Sequence, residues 1–228
     1  TLLTEDYPPL RLALQRVLTS LMRSSDLTAI LTWCNVPSVT AVAAEFGLPV
    51  IHNELGPLRP PGYASTIYFD FEGVNGRTEA AARAVDYESS LGDAQRAGLL
   101  SLPDLRTLLR VHPPAGVPEG EPPFACGVAL QVEDDSNLLA FSNGLTNLDA
   151  IFAARRSHRA TDVLIRHHPS GHVVYGDHLG VPDRSPDSLS FIRRCRRVVT
   201  INSSVALECL LDERPVEVLG DSPAAAFS

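Results

Sequence analysis

The sequence predicts an α/β fold in which parallel strands alternate with helices. Residues 27–54 and 196–220 each read as strand, helix and strand, which is the unit that builds parallel sheets. Residues from about 121 onward continue this alternation, as a doubly wound sheet does. We therefore predict two Rossmann-like domains that face each other across a cleft, with residues 1–120 in the first and 121–228 in the second.

The first strand–helix–strand unit is defined by apolar runs and a glycine stop. Residues 27–33 are a short apolar run, 39–46 have helical character, and 48–54 form a second apolar run. Gly47 stands where a helix would end. Farther along, residues 79–111 are helical by composition, and the proline-rich residues 112–123 read as a linker.

The second domain repeats this pattern with more strands. Residues 127–131 and 162–168 read as strands, and a helix over 147–158 joins them with Asn147 as its N-cap. In the unit over 196–220, the strand "VVTI" is followed by the turn "NSS", the helix "VALECLLDE" and the strand "VEVL".

Composition excludes several classes of protein. The chain has 228 residues, of which 44% are hydrophobic and 20% charged, as in a folded domain. A net charge of −8 argues against nucleic acid or an anionic membrane as the main partner. Only the arginine-rich "RRCRR" at 193–197 differs from this acidic balance, and arginines that are solvated or pair with nearby acids are favoured over a phosphate or lipid-headgroup patch.

Cysteine spacing and hydropathy indicate a cytoplasmic location. The four cysteines lie far apart without a CxxC pair, so we expect reduced, mostly buried thiols. No apolar run approaches the ~18–20 residues that span a bilayer. The chain starts without Met, and the N-terminal half is expected to be incomplete.

Polar residues follow three predicted strands of the second domain. Glu133, Asp134 and Asp135 come after the first strand, His168 stands at the carboxyl end of the second, and the pair Ser203 and Ser204 comes after the third. The carboxyl ends of parallel strands share one edge, where ligands of open α/β sheets bind. The serines stand at a helix start that can hold an anion, although one of them is enough for plain N-capping. The residue before a proline is held extended, so His168 can point into the crevice.

The first domain has its own candidates. Glu54 follows a strand and precedes a glycine and prolines, which places it on a rigid loop at the carboxyl edge of that sheet. Asp70 and Glu72 flank a phenylalanine in alternating register, and the solvent face of an edge strand explains them as well as a function does.

These motifs together resemble a known enzyme family. "ALQVEDDSN", "HPSG" and "TINSSVALECLLDERPVEVLGDS" are similar to the bacterial capsule and O-antigen β-Kdo transferases, which are retaining enzymes that use CMP-Kdo. The His-Pro and Ser-Ser pairs also resemble the CMP-binding motifs of bacterial sialyltransferases with a GT-B fold. The resemblance is best over roughly residues 124–222, and "NELGPLR" and "FDFEGVNG" add a weaker match in the first half.

The resemblance implies a GT-B-like fold and a role for each motif. His168, Ser203 and Ser204 would hold the CMP phosphate, while Pro169 and Gly171 shape the nucleotide loop. Asp135 would be the nucleophile of a double displacement, and Glu54 would activate the acceptor as a third catalytic residue with Asp135 and His168.

The nature of the donor sets the expectations for cofactors and partners. A single phosphate can be balanced by a helix start, hydroxyls and an imidazole, so no metal is expected. The carboxylate of the sugar calls for a cation, for which Arg59 and Arg166 are both candidates. The expected partners are CMP-Kdo and a glycan or glycolipid acceptor, with peripheral contact at the inner membrane. Two alternatives stay open: a GT-B transferase for CMP-sialic acid or a UDP-sugar, and a non-catalytic scaffold module.

Overall fold

The computed structural model describes residues 2–112 and 123–228, and it divides into two units. The first comprises Thr1–Leu55 and Ile67–Glu79, and the second comprises Gly56–Thr66 and Ala80–Ser228. Residues 113–122, which make up most of the predicted linker over 112–123, lie outside the described residues.

The first unit contains the first predicted strand–helix–strand segment. Its helices and strands are α1 Pro8–Leu21, β1 Ile30–Trp33, α2 Pro37–Glu45, β2 Val50–Leu55 and β3 Ile67–Asp70. β1 and β2 pair in parallel and β3 is antiparallel to β2; we call these three strands the N-terminal sheet. Gly47 has a φ of 65° just after α2, in the left-handed region that glycine favours, so the predicted helix stop is confirmed.

The second unit contains the segment Gly56–Thr66, then three α-helices, and then an alternating α/β domain. Its helices and strands are α3 Ala80–Ser90, α4 Asp93–Ala97, α5 Leu102–Leu109, β4 Cys126–Ala129, α6 Ser136–Phe141, α7 Asn147–Arg155, β5 Val163–Arg166, β6 Val181–Pro182, α8 Ser188–Arg193, β7 Val198–Thr200, α9 Val205–Leu211 and β8 Val216–Val218. The strands form one sheet in the order β6-β5-β4-β7-β8, which we call the C-terminal sheet, and every pair in it is parallel. The predicted parallel α/β domain is therefore confirmed.

The C-terminal sheet is covered on both faces. Alternate strand residues such as Val128, Ile165 and Val199 pack with α7 residues, including Ile151, in one core cluster. The residues next to them on the strands pack into a second cluster with α8 and α9: Ala129, Leu164 and Val198. Successive strand side chains point to opposite faces, so these two clusters are the two faces of one sheet.

The cysteines and the arginine run behave as expected. None of the four cysteines forms a disulfide among the described residues, and Cys126, Cys195 and Cys209 are buried, which raises the pKa of each of these three thiols. In 193–197, three arginines pair with acids: Arg193 with Asp212, Arg194 with Asp183, and Arg197 with Glu217. Arg196, the fourth arginine, is exposed, so the run agrees with the favoured interpretation that its arginines are solvated or pair with acids.

Candidate functional site

The three predicted strand ends meet at one edge of the C-terminal sheet. β4 lies between β5 and β7 and is parallel to both, so the segments that follow these strands leave from the same edge. These segments carry the acidic run, the His-Pro pair and the Ser-Ser pair. The expected convergence of the three motifs on one edge is therefore present in the fold.

Asp135 lies at the start of α6 and caps it. Its Oδ1 accepts a hydrogen bond of 2.7 Å from the backbone N–H of Asn137. Both Asp134 and Asp135 are exposed. Capping uses one of the two carboxylate oxygens, so Asp135 presents a charged group at the sheet edge while its backbone position is defined by the helix.

Glu133 is held inward, unlike the two aspartates that follow it. Its Oε1 accepts hydrogen bonds from Asn147 Nδ2 at 3.1 Å and from the Tyr175 hydroxyl at 3.3 Å. Partial burial opposes ionisation of this carboxyl, but the surrounding donors outweigh it and lower the pKa of Glu133 below its ordinary value. Glu133 is therefore an ionised group that ties the end of β4 to α7 and to the loop after β5.

A buried network of amide side chains connects the strand ends. Gln131, just past β4, exchanges two hydrogen bonds with Asn202, just past β7: Gln131 Nε2 donates to Asn202 Oδ1 at 2.7 Å, and Asn202 N donates to Gln131 Oε1 at 3.1 Å. Asn137 and Asn202 exchange two more bonds between side-chain amides and backbone carbonyls. Paired hydrogen bonds of this kind fix the ends of β4 and β7 relative to each other.

Asn147 belongs to this network, which corrects its predicted role as a helix cap. Its side chain accepts from Gln131 N at 3.1 Å and donates to Gln131 O at 2.7 Å, and it is 2% exposed. Thr146 is the N-cap of α7, and both its N–H and its hydroxyl donate to Asp149 in a capping box. The sequence reading missed Gln131, Asn137, Asn202 and Tyr175; the one available signal was a glutamine directly after an apolar strand.

The His-Pro motif forms a tight turn after β5. Gly171 N donates to His168 O at 2.9 Å, and Ser170 N donates to His168 Nδ1 at 3.1 Å. His168 and Pro169 are exposed. A ring nitrogen that accepts a hydrogen bond carries no proton, so the neutral His168 ring has its proton on Nε2. This geometry makes His168 a hydrogen-bond donor at the sheet edge.

The two serines lie at the beginning of α9. Ser203 Oγ accepts from Val205 N at 3.3 Å, whereas Ser204 is the N-cap residue and its hydroxyl makes no cap hydrogen bond to the described residues. Both serines are partly buried. Plain N-capping therefore does not account for the Ser204 hydroxyl.

The candidates of the first unit lie at strand ends of the N-terminal sheet. Glu54 lies within β2, near its carboxyl end, instead of on the following loop; it accepts from Cys34 Sγ at 3.5 Å and from Leu55 N at 2.8 Å. Asp70 is 9% exposed and accepts from the backbone N–H groups of Glu72 at 2.8 Å and of Glu79 at 3.0 Å. Asp70 therefore organises a loop, and the solvent-face interpretation of this residue is wrong.

The candidate cations for the sugar carboxylate already have partners. Arg166 donates to Asp183 Oδ2 at 2.6 Å, and its guanidinium lies 5.8 Å from the ring centroid of Phe191. Arg59 Nε donates to Gly56 O at 3.1 Å. Across residues 2–112 and 123–228, no three His, Cys, Asp or Glu side chains converge as a metal site would require. In the same residues, none of the helices is long and apolar enough to cross a membrane.

Two family models match the chain over separate segments. Residues 1–79 match the model described as "Glycosyltransferase 99 family N-terminal domain". Residues 125–227 match the model described as "Capsule polysaccharide biosynthesis protein". No curated protein matches the chain in sequence.

Solved structures of similar fold include two of KpsC from Thermosulfurimonas dismutans. The one titled beta Kdo 2,7 transferase has a TM-score of 0.64 and 19% identity, covering 92% of this chain and 70% of that chain. The one titled beta Kdo 2,4 transferase has a TM-score of 0.60 and 19% identity, covering 86% of this chain and 70% of that chain. At this identity the likeness establishes the fold, which is α/β and GT-B-like in part. Together with the family models, it makes the chain similar to the glycosyltransferases of capsule polysaccharide synthesis.

Proposed function

We propose that the chain is a retaining glycosyltransferase that moves Kdo from CMP-β-Kdo to a polysaccharide or glycolipid acceptor. The convergence of Asp135, His168 and the serine pair at one edge of the C-terminal sheet carries this proposal. The two family models and the fold shared with Kdo transferases support it. The reaction would take place in the cytoplasm, with peripheral contact at the inner membrane where a glycolipid acceptor is presented.

The donor phosphate would bind between the His-Pro turn and the start of α9. His168 supplies an Nε2–H donor, and Ser203 and Ser204 supply hydroxyls beside backbone N–H groups of the helix start. Pro169 and Gly171 set the shape of the turn that presents His168. One phosphate in such a site is stabilised by several donors, and these donors also stabilise CMP as the leaving group.

The proposed reaction is a double displacement. The Asp135 carboxylate attacks the anomeric carbon of Kdo, forming a carbon–oxygen bond as the bond to CMP breaks and CMP leaves with the electron pair. An acceptor hydroxyl then attacks the same carbon while Glu54 takes its proton, and the Asp135 carboxylate is released. Two inversions at one carbon give net retention.

The decisive variant is Asp135→Asn, because asparagine is as good an N-cap as aspartate and α6 should stay intact. We expect transfer from CMP-Kdo to fall by several orders of magnitude while CMP binding is kept. The measurement is single-turnover transfer with a thermal-shift titration of CMP. Transfer near the wild-type rate would overturn the nucleophile assignment, and loss confined to Asp134→Asn would move it by one residue.

Donor identity is tested with the nucleotides themselves. A ligand that binds only the folded protein raises its melting temperature, so CMP should stabilise the chain and UDP should not. Combined Ser203→Ala and Ser204→Ala should abolish the CMP shift. A larger shift with UDP would instead favour a UDP-sugar donor, and no shift with either nucleotide would favour a scaffold module.

A further inference from the structure

We propose that Glu133 is a positioning residue, whose carboxylate clasps the loop after β5 and so places His168 for the nucleotide phosphate. This inference rests on the function proposed above. It assigns a task to the one acid of the run that faces inward, whereas Asp135 faces the surface.

The contacts form an unbroken chain from Glu133 to the His-Pro turn. The Tyr175 hydroxyl donates to Glu133 Oε1 at 3.3 Å, and Tyr175 N donates to His167 Nε2 at 3.3 Å. The Tyr175 and His167 rings are stacked, with centroids 5.9 Å apart and planes at 27°. His167 precedes His168 in the chain, and His168 is the first residue of the His-Pro turn. A shift of Tyr175 is therefore transmitted through His167 to His168.

The other side of Glu133 is anchored in the interior. Asn147 Nδ2, which donates to Glu133 Oε1 at 3.1 Å, also donates to Gln131 O at 2.7 Å. Gln131 and Asn147 are both buried. Glu133 therefore connects a rigid, buried network to a surface loop.

The loop itself has little else to hold it. Val173 is 44% exposed and Val174 is 88% exposed, and His172 and Gly176 are exposed as well. Tyr175 is the partly buried residue of this segment, and it packs against the core beneath α7. Segments with few buried apolar contacts open at low free-energy cost, so the bonds that Glu133 accepts from the Tyr175 hydroxyl and the His172 backbone should dominate the order of this loop.

The test combines Tyr175→Phe and Glu133→Ala with CMP binding and amide hydrogen exchange. Tyr175→Phe removes the hydroxyl but keeps the ring, so its stacking on His167 and its packing are retained. We expect each variant to raise the Kd for CMP about tenfold and to speed amide exchange over residues 168–176. Asp177→Ala, an exposed acid of the same loop, is the matched control and should change neither.

A double-mutant cycle separates positioning from a general structural effect. If Glu133 acts through His168, then Glu133→Ala should have no further effect on the Kd in a His168→Ala background. Additive effects of the two substitutions on the Kd, or unchanged amide exchange over residues 168–176 in Glu133→Ala, would overturn the positioning role of Glu133. Either result would leave the proposed function intact. Failure of the wild-type chain to bind CMP would overturn both, even where the exchange rates respond as expected.

Discussion

The two sheets share the same strand–helix–strand pattern but differ in how they are covered. In the C-terminal sheet, neighbouring strand residues such as Val128 and Ala129 both lie at or below 3% exposure, one on each face. In the N-terminal sheet, one face carries large apolar side chains in contact with solvent. These are Leu31 at 71%, Trp33 at 51%, Leu55 at 46%, Ile67 at 67% and Phe69 at 64% exposure.

The strand register shows that these exposed residues share one face. Leu31 pairs with Ile51, and Leu55 pairs with Ile67, so directly opposed side chains point the same way. The other face lies under α1 and α2, where Leu14, Leu18 and Ile30 help to line a half-open apolar pocket of about 210 Å³. The N-terminal sheet therefore has one face exposed to solvent, whereas both faces of the C-terminal sheet are covered.

The difference in coverage affects how firmly each sheet can hold a functional site at its strand ends. At the edge of the doubly covered sheet, Gln131, Asn147 and Asn202 are buried, and Gln131 is hydrogen-bonded to each of the other two. Buried amides of this kind hold the neighbouring strand ends in one geometry. In the first unit, Glu54 is partly buried and its side-chain partners are a thiol and the backbone of the next residue.

The largest expected contrast between the sheets comes from removing one aromatic side chain from each. Phe191 is fully buried under the C-terminal sheet, so Phe191→Ala should lower the free energy of unfolding by about 3–5 kcal/mol. Phe69→Ala on the exposed face should change it by less than about 0.5 kcal/mol. Urea unfolding followed by circular dichroism measures both, and a comparable loss in the two variants would mean that the exposed face is covered in solution.

The buried Glu208 predicts that the free energy of unfolding depends on pH. Burial beneath the C-terminal sheet raises the pKa of this carboxyl to about 7 from 4.5, although the Ser188 hydroxyl donates to it at 2.6 Å. Between these two values the folded state holds a proton that the unfolded chain has lost, so the free energy of unfolding falls as pH rises. At about 1.4 kcal/mol per pKa unit, the loss should approach about 3 kcal/mol and end above pH ~7.

The check is Glu208→Gln, which keeps the shape and an acceptor for Ser188 but cannot ionise. Its free energy of unfolding should lack this fall between pH ~4.5 and ~7, as judged against wild type in matched buffers. The exposed Glu213→Gln near the end of the same helix should leave the fall in place. A fall that persists unchanged in Glu208→Gln would assign the pH dependence to other groups.

Two glycines provide the smallest of the three contrasts. A Cβ on Gly127 in β4 would lie 2.6 Å from Cys195 Sγ and 2.8 Å from Phe191 Cζ, so Gly127→Ala should cost about 1–3 kcal/mol through overpacking. At Gly47 no described atom lies within 4 Å, and Gly47→Ala should cost about 1 kcal/mol through its φ of +65° alone. Thermal unfolding of both variants measures the two losses of stability. A larger loss in Gly47→Ala than in Gly127→Ala would mean that the core around Gly127 rearranges to accommodate the added methyl group.

Much of the fold was predictable because it depends on local patterns. The strands β1, β2, β4, β5, β7 and β8 fall on predicted apolar runs, and the parallel pairing follows from the helices between them. The burial of Asp70 was not predictable, since its backbone donors come from a loop that closes only in the folded chain. Asn147 was misread as a cap because an asparagine before a helical run fits that role locally, while its actual partner Gln131 lies 16 residues away.

The sequence by itself determined the α/β class, the order of the strands along the chain and the placement of three polar motifs after three strands. Hydrophobic periodicity and the residues that start and stop helices are local signals that extend over a few residues. They can therefore be recognised in the sequence without a structure. Only the tertiary structure decided which acid of the run points inward, which amides connect the strand ends, and which sheet has both faces covered. Those outcomes depend on contacts between residues far apart in the chain, and local preference carries no information about such partners.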